Sequence, residues 1–303
     1  MKKLTYAIAL SSLLLAGCSQ DEGIVENKGE LVTLNYNVSL GNGVQSRATG
    51  DLAVNKLLCA VFEDGVELKR EVIEVTNGTA TYQPALFKNI EYKIVFWAYY
   101  ENNGKSCYDI DELKNITINE NYDNGVFAED AKKDAFTAVE TVKVTGNAVE
   151  SSVTLTRPFA QINVNTTETD WVNAGKLGST PTSSKITLTG TGCATIYDAF
   201  NETWSGSAQN YTFHSVPSVD GYCLVSEYVF ANGTGTCTIE VYSGDPNQPK
   251  MIYKKEIPSF PIEANKRTNV TPGSEGGLMT GDVTYNITID AGLSTTDENK
   301  EIN

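Results

Sequence analysis

The feature that most constrains the fold is a strict alternation of apolar and polar residues near the start of the chain. Every even position from 32 to 40 is large and apolar: Val32, Leu34, Tyr36, Val38 and Leu40. Successive side chains of a β-strand point to opposite faces, so this period of two predicts a strand with one buried face. The same alternation returns over residues 283–290. Both ends of the chain therefore predict strands that cover an apolar core.

Short runs of β-branched and aromatic residues, separated by turn residues, fill the chain between these two strands. The turn residues 63–65 predict a hairpin of 57–62 with 66–75, and Asn232-Gly233 predicts a hairpin of 223–230 with 237–242. Residues 94–100 are apolar on both faces, as in a strand that is buried on both sides. With few helix-period patterns, the chain is predicted to be all-β, with two β-sandwich domains in tandem.

The first eighteen residues are typical of a bacterial lipoprotein signal. Lys2 and Lys3 precede an apolar stretch over 4–16, which closes on Leu15-Ala16-Gly17-Cys18. This lipobox predicts removal of residues 1–17 and lipidation of Cys18, where the alternative is an ordinary secretory signal with a chance cysteine. Acyl chains such as palmitate contribute about 0.8 kcal/mol per buried methylene to membrane binding. We expect an outer membrane lipoprotein at the cell surface, since the acidic residues 19–22 resemble a surface-export tag.

The net charge argues against one class of partner, and the cysteine pattern argues against two kinds of structural site. Loss of Lys2 and Lys3 with the signal takes the formal net charge from −15 to −17, which argues against nucleic acid. Five cysteines remain besides Cys18, an odd number without a CxxC pair: Cys59, Cys107, Cys193, Cys223 and Cys237. This set predicts neither a disulfide framework nor a zinc site. A Cys223–Cys237 bridge across the predicted hairpin remains an alternative to burial as small apolar residues, and the pairing state of Cys193 also stays open.

No catalytic motif is present in the sequence. His214 is the only histidine, and neither a GxSxG elbow nor a phosphate-binding glycine loop occurs. Asp109, Asp111 and Glu112 could form a glycosidase carboxylate pair, but a solvated loop is the preferred interpretation. We therefore predict no catalytic residue, no cofactor, no metal and no enzymatic activity.

Aromatic residues allow one rival function. Phe96, Trp97, Tyr99 and Tyr100 could stack on sugar rings, although aromatics on both faces of one strand more often fill a core. The rival is a monomeric surface glycan-binding lipoprotein that uses Trp97, Trp171 or Trp204.

Several segments together resemble the fimbrillin superfamily of Bacteroidetes, whose members are subunits of type V pili. The resemblance rests on the lipobox, on residues 32–40 followed by Gln45-Ser46-Arg47-Ala48, and on 155–164 with the sequence LTRPFAQINV. It rests also on 265–270, with the sequence NKRTNV, leading to 283–290 and Gly292. These landmarks occur in family order and span nearly the whole mature chain.

The resemblance implies two transthyretin-like β-sandwich domains and assembly by strand exchange. In that family an Arg-specific protease cuts beyond the first strand, and the matching position here is Arg47, followed by Ala48. The implied organisation is a tether with a removable first strand over 18–47, then domains over 48–156 and 157–303. The implied partners are other pilus subunits and an unnamed host or bacterial surface receptor. Candidate donor-strand residues are Val283, Tyr285, Ile287 and Ile289.

Overall fold

A computed structural model describes most of the chain between residues 29 and 290. The described residues are 29–41, 54–118, 130–146, 150–170, 172, 180–190, 193–207, 211–215, 222–231, 233–245, 248–272 and 285–290. Cys18, Arg47, Ala48, Trp171 and Val283 lie outside them.

The described residues include 23 strands, a short 3-10 helix, Asp130–Lys133, and helical residues at 168–170 and 172, which confirms the predicted all-β class. The strands of the first half are β1 Leu31–Thr33, β2 Asn35–Leu40, β3 Lys56–Glu63, β4 Val66–Glu74, β5 Thr79–Tyr82, β6 Ala85–Phe87, β7 Glu91–Tyr99, β8 Glu101–Asn102, β9 Lys105–Ser106, β10 Tyr108–Asp109, β11 Ile116–Ile118, β12 Ala135–Lys143 and β13 Glu150–Leu155. Those of the second half are β14 Ala160–Asn165, β15 Pro181–Thr189, β16 Cys193–Asp198, β17 Thr203–Ser207, β18 Tyr211–Ser215, β19 Cys223–Ala231, β20 Gly233–Ser243, β21 Lys250–Ile262, β22 Arg267–Pro272 and β23 Tyr285–Asp290. No helix among the described residues is long and apolar enough to cross a membrane.

The first hydrophobic core lies between two small sheets. A four-stranded sheet in the order β12-β7-β3-β4 contributes one side, and a three-stranded sheet in the order β13-β2-β5 contributes the other. The predicted hairpin at 63–65 is confirmed, because β3 and β4 pair in antiparallel register. Strand β7 is buried on both faces as predicted: Ile94 and Phe96 enter this core, while Val95 and Trp97 face away from it.

A second core lies between an eight-stranded and a four-stranded sheet. The larger sheet runs β10-β11-β16-β19-β14-β22-β23, with β17 beside β16, and the smaller runs β18-β15-β20-β21. Apolar residues such as Ile162, Ile186 and Ile239 fill the space between them.

The predicted hairpin at Asn232-Gly233 is wrong. Strand β19 pairs with β14 and β16, whereas β20 pairs with β15 and β21. The chain therefore passes from one sheet to the other between these strands. Cys223 and Cys237 consequently lie in different sheets, and both are buried.

The two halves of the sequence share a third cluster of buried residues. Strands β10 and β11 come from the first half, yet β11 pairs with β16 of the second. Around this junction the rings of Trp97, Tyr108, Phe159, Tyr197 and Phe230 pack together. The domain limits 48–156 and 157–303 stay a prediction.

Candidate functional site

The first strand occupies a slot in the middle of the three-stranded sheet. Strand β2 pairs in parallel with β13, from Asn35 opposite Glu150 to Leu40 opposite Leu155. On its other side it pairs antiparallel with β5, where Tyr36 lies opposite Tyr82. Just before it, β1 pairs with β6. The chain changes partners at Leu34, whose N–H donates to the carbonyl oxygen of Pro84 at 2.9 Å.

The predicted alternation is confirmed residue by residue. Val32, Leu34, Tyr36 and Val38 are all buried in the first core, with exposed fractions between 1 and 6%. Leu40 is half-buried against the same core. Since side chains of one strand contribute this much of the core, its removal would uncover a continuous apolar groove between β13 and β5.

Tyr36 is held by two aromatic neighbours. Its ring centroid lies 5.6 Å from that of Phe96 and 6.5 Å from that of Tyr82, onto which it stacks. Tyr82 and Phe96 meet edge to face at 6.2 Å. Burial, with a smaller contribution from the charge of Glu140, raises the pKa of Tyr36 to about 12, and burial also raises the pKa of Tyr82. This site therefore favours a neutral, flat side chain.

The opposite face of β2 is polar and more open. Asn37 is exposed, and the Oδ1 atom of Asn35 accepts a hydrogen bond from Nε2 of Gln83 at 3.3 Å. The hydroxyl of Ser39 donates to the carbonyl oxygen of Val153 at 3.5 Å. Such contacts tolerate small polar side chains, so the apolar face contributes most of the packing of this strand.

A close backbone approach ends the strand. The N–H of Gly41 donates to the carbonyl oxygen of Leu155 at 2.9 Å, and a Cβ atom at position 41 would lie 2.8 Å from that oxygen. Only glycine fits there without displacement of β13. The chain then continues through residues 42–53, which contain Arg47 and lie outside the described residues.

The chain has four arginines, and the fold engages the three that the structure describes. Arg157 is buried in an ion pair with Asp134, and the Nε atom of buried Arg267 donates to Oε1 of Gln161 at 2.9 Å. Arg70 pairs with Glu67 at 2.6 Å and also donates to the backbone at Ile110. Each of the three lies in or next to a strand, where a protease has poor access to the backbone.

The C-terminal strand lies at one end of the larger sheet. Strand β23 pairs antiparallel with β22, and it is the last strand of that sheet among the described residues. Ile287 packs partly buried against the second core, and Ile289 is half-buried. Tyr285 is also in β23, so three of the four donor-strand candidates lie on one strand.

In the described part of the chain, the aromatic residues of the rival glycan-binding interpretation are buried or half-buried. Trp97 is fully buried, which agrees with the preferred interpretation that these aromatics fill a core and leaves this ring no surface for stacking on a sugar. Trp204 is half-buried, and its Nε1–H donates to the carbonyl oxygen of Pro158 at 2.7 Å. Asp109, Asp111 and Glu112 are exposed at the end of β10 and in the turn after it.

Other predicted residues add no site in the described part of the chain. His214 lies on β18, in register with Lys185. Within the described ranges, no group of three or more His, Cys, Asp or Glu side chains is arranged to hold a metal ion.

Sequence reasoning missed the partners of the first strand. Tyr82, the backbone of Leu155 and the buried Asp134–Arg157 pair carried no recognisable local signal. The alternation of apolar and polar residues in β5 and β13 predicts that these strands are half-buried. It does not predict which strand lies between them.

These features define an all-β sandwich protein whose N-terminal strand completes the first core. A sequence model described as "Family of unknown function (DUF6562)" matches residues 26–302, so the chain belongs to this family. No functionally curated protein matches the chain.

Several solved structures are similar to the chain. A "putative cell adhesion protein" from Bacteroides eggerthii is 17% identical with a TM-score of 0.53, and the match covers 86% of this chain and 96% of that one. The fimbrial anchor protein Mfa2 from Porphyromonas gingivalis is 12% identical with a TM-score of 0.44, covering 85% and 97%. The fimbrilin FimA from Porphyromonas gingivalis is 11% identical with a TM-score of 0.45, covering 84% and 96%. At 17% identity, the likeness to the Bacteroides eggerthii structure shows a shared fold.

Proposed function

We propose that the protein is a structural and adhesive subunit of a surface fimbria, assembled by β-strand exchange after cleavage near Arg47. The observation that carries the proposal is the position of the first strand. It completes the first core, yet it lies on the N-terminal side of Arg47. A cut after Arg47 therefore separates this strand covalently from the core that it fills.

Loss of the first strand leaves an unstable surface. Four or five apolar side chains leave the core, a change worth on the order of 6–15 kcal/mol before ordering costs. The backbone edges of β13 and β5 also lose their hydrogen-bond partner. An extended segment of another subunit with alternating apolar side chains would refill the core and would restore the backbone hydrogen bonds to β13 and β5. The strand that carries Tyr285, Ile287 and Ile289 has this pattern.

The same cut would also remove the lipid anchor. The protein is exported as a lipoprotein through Cys18 and reaches the outer membrane with its acyl chains attached. Cleavage after Arg47 releases these chains together with the first strand, and neighbouring subunits then hold the protein at the surface. An anchor subunit would keep its lipid, so the arrangement favours a polymerising subunit.

Treatment of the purified full-length precursor with an Arg-specific protease tests this proposal. We expect a first cut after Arg47, seen by N-terminal sequencing that begins at Ala48. A ladder that resists SDS in unheated samples should follow. Arg47→Ala should abolish both, whereas Arg70→Ala is the matched control that should change neither.

Two results would contradict the proposal. One is a first cut at any of the other arginines, and the second is a cut form that stays monomeric. Surface fractions that contain only chains blocked at Cys18 would argue for a permanent anchor instead.

A further inference from the structure

Strand β4 carries a large share of the exposed apolar surface. Among the described residues, six large apolar side chains are exposed, and three of them lie on this one strand: Val66, Leu68 and Val72. In the described part of the chain β4 is also the last strand of its sheet, because it pairs only with β3. It therefore presents an unpaired backbone edge together with apolar side chains, a combination that favours the addition of another strand.

Two other sheet edges are protected against such pairing. On the edge of β12, the backbone N–H groups of Thr137 and Thr156 each donate to the carbonyl oxygen of the other, at 2.8 and 3.0 Å. Strand β21 contains Pro258 and Pro261, which cannot donate a backbone hydrogen bond. Strand β4 has neither protection: no described segment pairs with its outer edge, and its sequence VELKREVIE contains no proline.

Three residues of β4 direct their backbone groups away from β3. The N–H of Val75, just after the strand, donates to the carbonyl oxygen of Asn55 at 3.0 Å, on the β3 side. Backbone groups of alternate residues in a strand point the same way, so those of Glu74, Val72 and Arg70 point outward. This part of β4 therefore offers a regular set of free donors and acceptors.

We infer that this edge pairs antiparallel with β4 of a second copy of the chain, around a two-fold axis at Val72. Val72 then lies opposite Val72 of the second copy, and Arg70 lies opposite Glu74 of the second copy on each side of the axis. Three outward-facing residues from each chain supply about six backbone hydrogen bonds. The contact does not depend on cleavage or strand exchange, because β4 and the first strand belong to different sheets.

The charges of β4 favour this register. Within one chain Arg70 contacts Glu67 at 2.6 Å, and Lys56 contacts Glu74 at 2.5 Å. Pairing around Val72 brings Arg70 beside Glu74 of the second copy, so these four groups form a row of alternating sign on each side of the axis. Opposite charges that face each other across two strands stabilise the pair, and a network of several charges contributes more than an isolated surface pair.

Other two-fold registers fit less well. An axis at any charged residue of β4 would oppose that residue to its own copy, and like charges in direct opposition destabilise a strand pair. An axis at Val66 or Leu68 meets a β-bulge, in which Leu68 is the extra residue without a partner on β3. An axis at Ile73 would place Thr76 opposite Arg70, so the ion pairs with the second copy would be lost. Val72 is the position that avoids all three faults.

The contact is closed and small. A two-fold contact uses the same surface on both copies, so it stops at a dimer. One short strand pair buries less surface than stable protein interfaces do, and we therefore expect a dimer that depends on concentration. In a polymer built by strand exchange, where every subunit carries one β4, the same contact would link filaments side by side.

Cysteine substitution at the axis tests the register. Val72→Cys in the uncut full-length precursor places two thiols in one hydrogen-bonded pair, whose Cα atoms are about 5.5 Å apart and within disulfide reach. We expect a disulfide-linked dimer after mild oxidation. Leu68→Cys is the matched control, because it is exposed on the same strand but about 27 Å from its own copy. It should give at most about a tenth of that dimer, and the unsubstituted precursor reports the background from native cysteines.

Analytical ultracentrifugation of the uncut precursor over a range of concentrations tests the contact without a cross-link. Val72→Lys should raise the dissociation constant of the dimer by about tenfold or more, because it opposes two ammonium groups at the axis. Val66→Lys makes the same change at an exposed position beyond the bulge and should alter the constant by less than about twofold.

Three results would overturn the inference: a precursor that stays monomeric at every concentration, a preferred link through Leu68→Cys, or a dimer unaffected by Val72→Lys. Strand exchange is tested on the cleaved protein, so either proposal can fail while the other survives.

Discussion

Arg157 and Asp134 form a buried bidentate ion pair between the two halves of the chain. The Nε and Nη2 atoms of the guanidinium donate to the two carboxylate oxygens at 2.5 and 2.6 Å, and both side chains are at most 5% exposed. The guanidinium also lies 4.5 Å from the ring centroid of Phe136. Asp134 follows the 3-10 helix, and Arg157 lies between β13 and β14. The pair therefore joins segments 23 residues apart beside the first core, to which Phe136 belongs.

Asp134→Asn should be strongly destabilising. It leaves the Arg157 charge buried without its counter-ion, which typically costs about 3–5 kcal/mol in the free energy of unfolding. Urea denaturation of the two proteins measures the difference. Lys254→Ala is the control, because Lys254 forms an exposed ion pair with Glu240 and its replacement should cost far less stability than Asp134→Asn. Equal losses in the two variants would contradict a structural role for the buried pair.

Tyr36→Ala should lower the free energy of unfolding of the precursor. Removal of a large buried ring costs about 3–5 kcal/mol, since the space beside Phe96 and Tyr82 cannot refill. Leu31→Ala, at an exposed position in β1, should change stability by less than about 0.5 kcal/mol. Chemical denaturation of the uncut precursor compares them. A Tyr36→Ala loss as small as that of Leu31→Ala would show that the slot does not depend on this ring.

Gly41→Ala tests the close approach at the end of β2. The added methyl group meets the Leu155 oxygen at 2.8 Å, and we expect a loss of about 1–3 kcal/mol from the required shift of β13. Gly146→Ala is the matched control, because no atom lies within 4 Å of a Cβ there. Thermal unfolding of both variants provides the comparison, and a lower melting temperature for Gly146→Ala than for Gly41→Ala would be the opposite of this expectation.

Alkaline pH should destabilise the first core. The folded pKa of Tyr36 is raised to about 12, above the ordinary tyrosine value of about 10. The folded state therefore holds its proton more tightly than the unfolded state. This contribution is complete below about pH 10 and is lost as the pH rises toward 12. Tyr36→Phe keeps the ring without the titrating group, so its stability should fall less over this range when unfolding is measured at each pH.

Local periodicity was enough to predict several elements. The alternation at 32–40 predicted which side chains of the first strand are buried, because side-chain direction is intrinsic to an extended backbone. The two-sided apolar run at 94–100 likewise predicted that β7 lies between two apolar clusters. The β3–β4 hairpin followed from its turn residues.

The Asn232-Gly233 hairpin failed for a physical reason. Turn propensity acts over a few residues, whereas strand pairing depends on which partner completes a buried sheet. Strands β19 and β20 lie in opposite sheets, and the apolar faces of both are buried in the second core. The pairing of β11 with β16 is equally non-local, since no turn joins these strands.

The sequence by itself determined the strand character of both chain ends, their apolar faces and their shared tyrosine. It also placed Arg47 seven residues after Leu40, the last apolar position of the first strand. Only the tertiary structure decided that this strand lies between β13 and β5, and that Tyr36 rests on Tyr82 and Phe96. The reason is distance along the chain: Ser39 and its partner Val153 are 114 residues apart, and no local pattern specifies such a contact. Burial of the complete core selects it.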